Sequence, residues 1–129
     1  MPLDPQAKAL LDQMAAAGMP PINNLAPTQA REVTGVMFRV PPGSEEPVHK
    51  IENRTIAGPA GQIPVRIYTP AGAGPFPVLV FFHGGGWVIC DLDTHDAACR
   101  SLTNQANCVT VSVDYRLAPE HKFPAAAED

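Results

Sequence analysis

A histidine and three glycines directly follow a run of apolar residues in the stretch VLVFFHGGGW, residues 78–87. Glycines at a strand end permit backbone angles that other residues avoid, and they let a ligand approach the main chain closely. Successive N–H groups that point the same way bind negative charge without a side chain. The glycines at 84–86 are therefore candidates for an oxyanion hole in acyl transfer, and the alternative is a tight structural connection. A nucleotide-phosphate loop is excluded, because neither GxxxxGK(S/T) nor GxGxxG is present.

The chain contains no nucleophile that this loop could serve. Its three serines, none of which lies in a GxSxG elbow, are Ser44, Ser101 and Ser112. Outside the loop, a structural or solvent-facing role is favoured for the histidines, which are His49, His95 and His121. Covalent acyl transfer requires a nucleophile paired with a base, so we expect the chain alone to be inactive.

The three cysteines lie at positions 90, 99 and 108, an odd number without a CxxC motif. Such cysteines are typical of free thiols in a reducing cytoplasm. A zinc site is an alternative, because suitable ligand types occur at His83, Cys90, His95 and Cys99. Their spacing matches no usual zinc pattern and joins a loop to a helix. We therefore expect no metal and no cofactor.

A second polar group, Asp114, Arg116 and Glu120, lies in the segment DYRLAPEHKFP. One interpretation is an acid–base cluster. The other is a loop at a strand end that is braced by ion pairs and hydrogen bonds. We favour the structural interpretation for this segment.

Length and composition indicate one packed domain. The chain has 129 residues, of which 45% are hydrophobic and 17% charged, and its net charge is −4. No block of Lys and Arg is present, which argues against nucleic acid or an anionic membrane as a main partner. The N-terminus lacks the pattern of a signal peptide, and no apolar run approaches the roughly 18 residues of a membrane span. These features predict a cytoplasmic protein.

The N-terminal third predicts two helices. Asp4 followed by Pro5 is typical of a helix start, and Gly18 is typical of a helix end. A second helix is predicted from Pro27 to a point before the prolines at 41 and 42, with Ala30, Val33 and Met37 at helical spacing. We interpret residues 1–45 as helices appended to a core domain that begins at residue 46.

The periodicity then changes to that of strands. VHKIENRTI (48–56) and QIPVRIYTP (62–70) predict an antiparallel hairpin, in which Ile63, Val65 and Ile67 share one face. VLVFF (78–82) is typical of a strand buried on both faces of a mostly parallel sheet. A helix capped by Asp93 or Thr94 and a strand in CVTVSVDY complete a βαβ unit with parallel strands. Residues 46–129 thus predict an α/β domain.

The predicted domain looks incomplete at its C-terminus. A last helix opens at Pro124, and the segment PAAAED allows it only about one and a half turns. A sheet of about four strands with VLVFF at an edge would expose an apolar template for association. We therefore expect a missing C-terminal part of the same fold.

The chain resembles the bacterial carboxylesterases of the hormone-sensitive lipase family, which have the α/β-hydrolase fold. The resemblance rests on FFHGGGW, CDLDTHD and VSVDYRLAPEHKFPAA in order and spacing, and on HGGG-type oxyanion loops after a buried strand. It extends from MPLDP to AAAED. Cys90 stands where the family usually has glycine, which predicts a small cost if that position requires a positive φ.

The resemblance implies a role for each residue of the loop. Gly85 and Gly86 would donate N–H groups to the oxyanion, Gly84 would shape the turn, and His83 would hold the loop by hydrogen bonds without acting as the base. Trp87 would pack beside the acyl pocket, with core packing as the alternative. The helices of residues 1–45 would form part of a cap over the substrate site, and the serine, acid and histidine of the triad would lie outside this chain.

The leading hypothesis is thus the N-terminal part of a serine carboxylesterase that hydrolyses short to medium acyl esters. Its partners would be a small ester substrate and the C-terminal part of the fold. The alternative is a non-catalytic module that pairs with a separate chain or forms a homodimer through its exposed strand edge.

Overall fold

The computed structural model describes residues 2–18 and 20–129. Its helices are α1 (Pro5–Ala16), α2 (Pro27–Phe38), α3 (Asp96–Ala106) and α4 (Ala125–Glu128), with a short 3-10 helix at Ile22–Asn24. Its strands are β1 (Lys50–Gly58), β2 (Gly61–Thr69), β3 (Val78–Phe82) and β4 (Val109–Val113). In these two ranges, no helix has the length and apolar character that crossing a membrane requires.

The first helix begins and ends where the sequence predicts. The Asp4 carboxylate accepts hydrogen bonds from the N–H groups of Gln6 and Ala7, and Pro5 occupies the first helical position. Gly18, just beyond the helix, has a φ of +66°. The helix buries none of its residues, and its apolar side chains are exposed at Leu10, Leu11 and Met14.

The second helix, α2, begins at Pro27 as predicted and buries the predicted face only in part. Its buried residues are Ala30, Thr34 and Gly35, whereas Val33 and Met37 are only half-buried. Thr34 tolerates burial because its hydroxyl donates to the Ala30 carbonyl within the helix at 2.8 Å. The apolar pattern therefore predicted the helix and the burial of Ala30 correctly, but not that of Thr34 and Gly35.

The sheet has the strand order β1-β2-β4-β3. Strands β1 and β2 are antiparallel, and β3 and β4 are parallel and joined by α3, which confirms the predicted hairpin and βαβ unit. The hairpin turn is shorter than predicted, since Gly58 already pairs with Gly61. The two units meet because β2 also pairs antiparallel with β4, a contact that local patterns do not specify.

The core lies on one face of the sheet. Ile63, Val65 and Val113 are buried together with Tyr115, which follows β4. Ile67 is half-buried and packs against this cluster, so the predicted apolar face of β2 is confirmed. On the opposite face, α3 covers polar positions, and Thr103 and Thr110 share a hydroxyl–hydroxyl hydrogen bond of 2.8 Å.

Strand β3 is not buried on both faces, which corrects the prediction for VLVFF. Val78, Val80 and Phe82 are 65%, 53% and 60% exposed. The physical reason is the strand order, because β3 lies at the edge and pairs only with β4 among the residues described. An exposed apolar edge of this kind favours association with another strand or chain.

Helix α3 starts later than predicted, and neither Asp93 nor Thr94 caps it. The N-cap position is His95, and the helix begins at Asp96. Thr94 is engaged elsewhere, since its N–H donates to the Asp91 carboxylate at 2.8 Å and its hydroxyl accepts from the Asp91 N–H at 2.9 Å. These reciprocal bonds stabilise a separate turn before the helix.

Candidate active site

The two parallel strands bring the chemistry-bearing loops to one edge of the sheet. Phe82 lies opposite Val113 in the register of β3 and β4. His83 directly follows the first strand, and Tyr115 follows the second by two residues. Because parallel strands end at the same edge, the glycine loop and the DYRLAPE segment are neighbours there, at the usual place for ligands in α/β sheets.

His83 is a buried structural member of the loop. It is 3% exposed, and its ring stacks on that of Tyr115 with centroids 4.4 Å apart and an interplanar angle of 15°. The Tyr115 hydroxyl donates to the His83 carbonyl at 2.6 Å, and His83 Nδ1 lies 2.8 Å from the Gly84 carbonyl oxygen. A hydrogen bond to that carbonyl requires the ring hydrogen on Nδ1. Burial raises the pKa of Tyr115, which keeps its hydroxyl protonated.

The hydrogen bonds of the loop carbonyls fix the direction of the glycine N–H groups. In a trans peptide, the carbonyl and the next residue's N–H point in opposite directions. The Gly84 carbonyl is held by His83 Nδ1, so the Gly85 N–H points away from His83. The Gly85 carbonyl accepts hydrogen bonds from the N–H groups of Val88 and Ile89 at 3.2 and 3.1 Å. The Gly86 N–H, in the same peptide plane, therefore points away from Val88 and Ile89. No backbone hydrogen bond among the described residues is donated by Gly85 or Gly86.

The unusual backbone angles of the loop lie at Gly85, Gly86 and Trp87, with φ of +122°, +59° and +60°. A Cβ at Gly85 would collide with the Ile89 carbonyl, whereas a Cβ at Gly86 would meet nothing within 4 Å. Gly84 has no positive φ, and a Cβ there would come no nearer than 4.0 Å to His95 Nε2. The sharp turn assigned to Gly84 thus lies at the three residues that follow it.

The loop borders two clefts. The first, of about 280 Å³, is lined by Phe82, by the glycine loop with His83 and Trp87, and by Tyr115 and Ala126. The second, of about 380 Å³, is mostly apolar and lies between Trp87 and the segment from Phe123 to Ala127. Trp87 borders both clefts and is 65% exposed. In this structure Trp87 is a cleft wall and not a core residue, and none of the described residues that line either cleft is a serine.

Asp114, Arg116 and Glu120 do not form one cluster. Arg116 pairs with the Asp129 carboxylate, with Nε 2.9 Å from Oδ1. Glu120 pairs with Arg31 of α2, whose hydrogen bonds lower the pKa of the glutamate to about 2. Burial raises the pKa of Asp114. Arg116 and Glu120 thus have separate partners, Asp129 and Arg31, which supports the bracing interpretation of this segment.

The cysteines are buried thiols without disulfides, and they are Cys90, Cys99 and Cys108. Burial raises the pKa of both Cys90 and Cys99. The four residues of the zinc alternative are not assembled: among residues 2–18 and 20–129, no three His, Cys, Asp or Glu side chains are placed to hold a metal ion. Cys90 has a φ of +73°, so the condition under which a small cost was expected at this position is met.

Sequence reasoning missed two residues that hold the loop, Tyr115 and Arg31. Tyr115 could have been found, because it follows β4 at the edge where the adjacent parallel strand delivers His83. Arg31 lies 57 residues before Val88, whose carbonyl accepts a hydrogen bond from Arg31 Nε at 2.7 Å. No local sequence pattern predicts a contact between residues so far apart in the chain.

Comparison with known proteins places the chain in a family. Residues 79–129 match a family described by its alpha/beta hydrolase fold. The chain is 57% identical over 79 residues to the carboxylic ester hydrolase LipN of Mycobacterium tuberculosis, covering 61% of this chain and 21% of the relative. It is 34% identical over 130 residues to an arylesterase of Saccharolobus solfataricus, covering the whole chain and 42% of that relative.

Solved structures show the same fold. An ester hydrolase from the metagenome of Lake Arreo superposes with a TM-score of 0.90 at 40% identity, over 99% of this chain and 42% of that one. The hyperthermophilic esterase from the archaeon Pyrobaculum calidifontis gives 0.86 at 41% identity, over 99% and 41% of the two chains. In each of these four comparisons, the chain spans less than half the length of the protein that it matches.

The fold and the loop therefore define the class: the chain belongs to the α/β-hydrolase family. Within it, the chain matches the N-terminal portion of proteins that include carboxylic ester hydrolases and esterases.

Proposed function

We propose that this chain is the N-terminal part of a cytoplasmic serine carboxylesterase of the hormone-sensitive lipase family, which cleaves short to medium acyl esters. The observation that carries the proposal is the arrangement of the loop at residues 83–88. The carbonyls of Gly84 and Gly85 bind the protein's own donors, while the Gly85 and Gly86 N–H groups are left to face another acceptor. N–H groups without a partner in the loop can donate hydrogen bonds to the oxyanion that develops when an ester is attacked. Relatives named as ester hydrolases support the same reaction.

The proposed reaction needs a serine and a base that this chain does not supply. A serine Oγ would attack the ester carbonyl carbon, and the carbonyl electron pair would move onto the oxygen held by the two N–H groups. The serine proton would pass through a histidine to the departing alcohol, and water would then release the acid from the acyl-enzyme. One oxyanion donor contributes about 2.7–4 kcal/mol to such a step.

Three measurements test this proposal. The reading frame after Asp129 should encode a G-D-S-A-G-G elbow about 25–35 residues later, the length of one helix and one strand. The 129-residue chain should not turn over p-nitrophenyl esters, whereas the longer, serine-bearing protein should. In that protein, Gly86→Pro removes one donor and should lower kcat by about 100-fold or more. An unchanged kcat would refute the oxyanion role, and turnover by the short chain would refute the division of the site.

The second candidate is a non-catalytic module that associates through a sheet edge. The exposed apolar side chains of the edge strand β3, at Val78, Val80 and Phe82, favour it. Light scattering of the 129-residue chain distinguishes the two candidates when it is combined with sequencing. Stable, stoichiometric association without a serine elbow downstream would support the module, and a cooperative monomer would contradict it.

A further inference from the structure

Arg31 uses four of its five N–H donors to join helix α2 to both loops of the candidate site. Its Nε donates to the Val88 carbonyl at 2.7 Å, and Nη2 donates to the Ala118 carbonyl at 2.9 Å. Nη1 and Nη2 also donate to the two carboxylate oxygens of Glu120, at 2.9 and 2.7 Å. A planar guanidinium can serve three acceptors at fixed angles, which the single ammonium of lysine cannot reproduce.

These bonds form a closed ring with the end of the glycine loop, through Arg31, Ala118 and the carbonyls of Trp87 and Val88. The Ala118 N–H donates to the Trp87 carbonyl at 2.8 Å, while its own carbonyl is held by Arg31. Arg31 also holds the carbonyl of Val88, the residue after Trp87. The carbonyls of two consecutive loop residues are therefore fixed, one directly and one through Ala118.

The ring extends to the amides of the candidate oxyanion hole. The Val88 N–H donates to the Gly85 carbonyl, and that carbonyl shares its peptide plane with the Gly86 N–H. A shift of Val88 therefore rotates the plane that aims the Gly86 N–H.

The ion pair alone does not account for this arrangement. The side chains of Arg31 and Glu120 are 29% and 50% exposed, and ion pairs at such sites contribute little to stability. The two bonds to backbone carbonyls are the part that only an arginine at position 31 supplies.

We propose that Arg31 is a positioning residue for the glycine loop, which it holds through the Val88 and Ala118 carbonyls so that the Gly86 N–H keeps its direction toward the cleft. The inference rests on the proposed function for its catalytic consequence, but its structural part stands without it. Three variants separate the two roles of Arg31. Arg31→Lys keeps the charge opposite Glu120 and loses the guanidinium hydrogen bonds to the two backbone carbonyls. Glu120→Gln loses the ion pair and keeps those two hydrogen bonds. Arg31→Gln loses both.

The first experiment measures amide hydrogen exchange by NMR in the 129-residue chain. Arg31→Lys and Arg31→Gln should lower protection of the Val88 and Ala118 amides by about tenfold, as expected when about one hydrogen bond is lost. Glu120→Gln should leave that protection within about twofold of the wild type, since the hydrogen bonds from Arg31 to the two backbone carbonyls remain. The matched control is Arg39→Gln at the residue directly after α2, because Arg39 pairs with Asp91 and Asp93.

The second experiment measures ester hydrolysis in the longer, serine-bearing protein. Arg31→Lys should lower kcat by about tenfold with KM within about twofold, because a loop shift weakens transition-state contacts more than substrate binding. Glu120→Gln should retain kcat. If Arg31→Lys behaves as wild type and Glu120→Gln reproduces Arg31→Gln, the role is the ion pair and the proposal is wrong.

The outcomes separate the two proposals. Should Arg31→Gln fail to fold by circular dichroism, the comparison of Arg31→Lys with Glu120→Gln decides the same question. Absence of ester hydrolysis in the wild-type longer protein would overturn the proposed function, while the exchange result would still decide whether Arg31 positions the loop. Unchanged exchange in both Arg31 variants overturns the inference.

Discussion

The Tyr115 hydroxyl donates a hydrogen bond of 2.6 Å to the carbonyl oxygen of His83, and the two rings stack 4.4 Å apart. The loop that follows His83 is therefore anchored at its first residue by a side chain from the neighbouring strand end. Tyr115→Phe keeps the ring and leaves the buried carbonyl without its donor. We expect a loss of about 1–3 kcal/mol in the free energy of unfolding, measured by urea denaturation.

The control for that prediction is Tyr115→Leu, which removes the stacking as well. It should be less stable than Tyr115→Phe by a further contribution of about 0.5–1.5 kcal/mol from the ring pair. Equal stability of Tyr115→Phe and wild type would show that this hydrogen bond does not anchor the loop.

Alanine substitutions in the glycine loop should rank in the order set by their surroundings. Gly85→Ala places a Cβ against the Ile89 carbonyl, so we expect destabilisation of about 3 kcal/mol or more. Gly86→Ala meets no neighbour within 4 Å and carries only the strain of its left-handed backbone, about 1 kcal/mol. Gly84→Ala should stay within about 0.5 kcal/mol of wild type. Thermal or urea unfolding measures all three, and a different order would mean that the loop differs from this geometry.

Cys90 offers a test of backbone strain at a single position. Its φ of +73° is unfavourable for any residue with a Cβ. Cys90→Ala removes the thiol and keeps the strain, while Cys90→Gly removes both. We expect the glycine variant to be more stable than the alanine variant by about 1 kcal/mol in urea unfolding. If alanine is the more stable of the two, the backbone at this position is not left-handed.

Asp96 predicts a pH dependence of stability. Its carboxylate accepts from the Tyr68 hydroxyl at 2.7 Å, from Arg66 Nη1 at 3.1 Å and from Arg100 Nε. Burial alone would raise the pKa of Asp96, but the hydrogen bonds from Tyr68, Arg100 and Arg66 outweigh it and lower the pKa. A carboxyl with a lowered folded-state pKa stabilises the fold fully above its unfolded value of about 3.9, and the contribution is lost as the pH falls through the folded pKa.

Asp96→Asn tests this dependence directly. Removing one partner of a largely buried ion network should destabilise the protein by about 3 kcal/mol near neutral pH. The variant should also lose less stability than wild type between about pH 5 and pH 2, because its amide does not titrate. Asp12→Asn serves as the control, since Asp12 pairs with Lys8 on the exposed surface of α1 and should have no measurable effect. Parallel acid curves for wild type and Asp96→Asn would contradict the prediction.

Local patterns predicted the elements and not their neighbours. Alternation in β2 identified the face that carries Ile63 and Val65, and Asp4-Pro5 identified the start of α1, because each pattern acts over a few residues. The insertion of β4 between β2 and β3 depends on which edges meet after folding. The late start of α3 has a different cause, which is a competing local turn: Thr94 bonds backward to Asp91 instead of capping the helix.

The candidate site was predicted to a similar extent. The position of the glycine loop at a strand end indicated an anion site, and the family resemblance suggested the particular residues. Two further side chains that hold the loop, Arg31 and Tyr115, lie far from it in sequence. Such contacts arise from packing and leave no periodic signal.

The strand order has a consequence for how the chain assembles. Strand β3 precedes β4 in the sequence, yet its only strand partner among the described residues is β4, and β4 also provides the link to β2. During synthesis, the β1–β2 hairpin and β3 therefore have no shared ladder until residues 109–113 have left the ribosome. Until then the apolar strand β3 is an unpaired segment, for which early chaperone contact would be most useful. Of the four strands described here, the one made last is the one that joins the hairpin to β3.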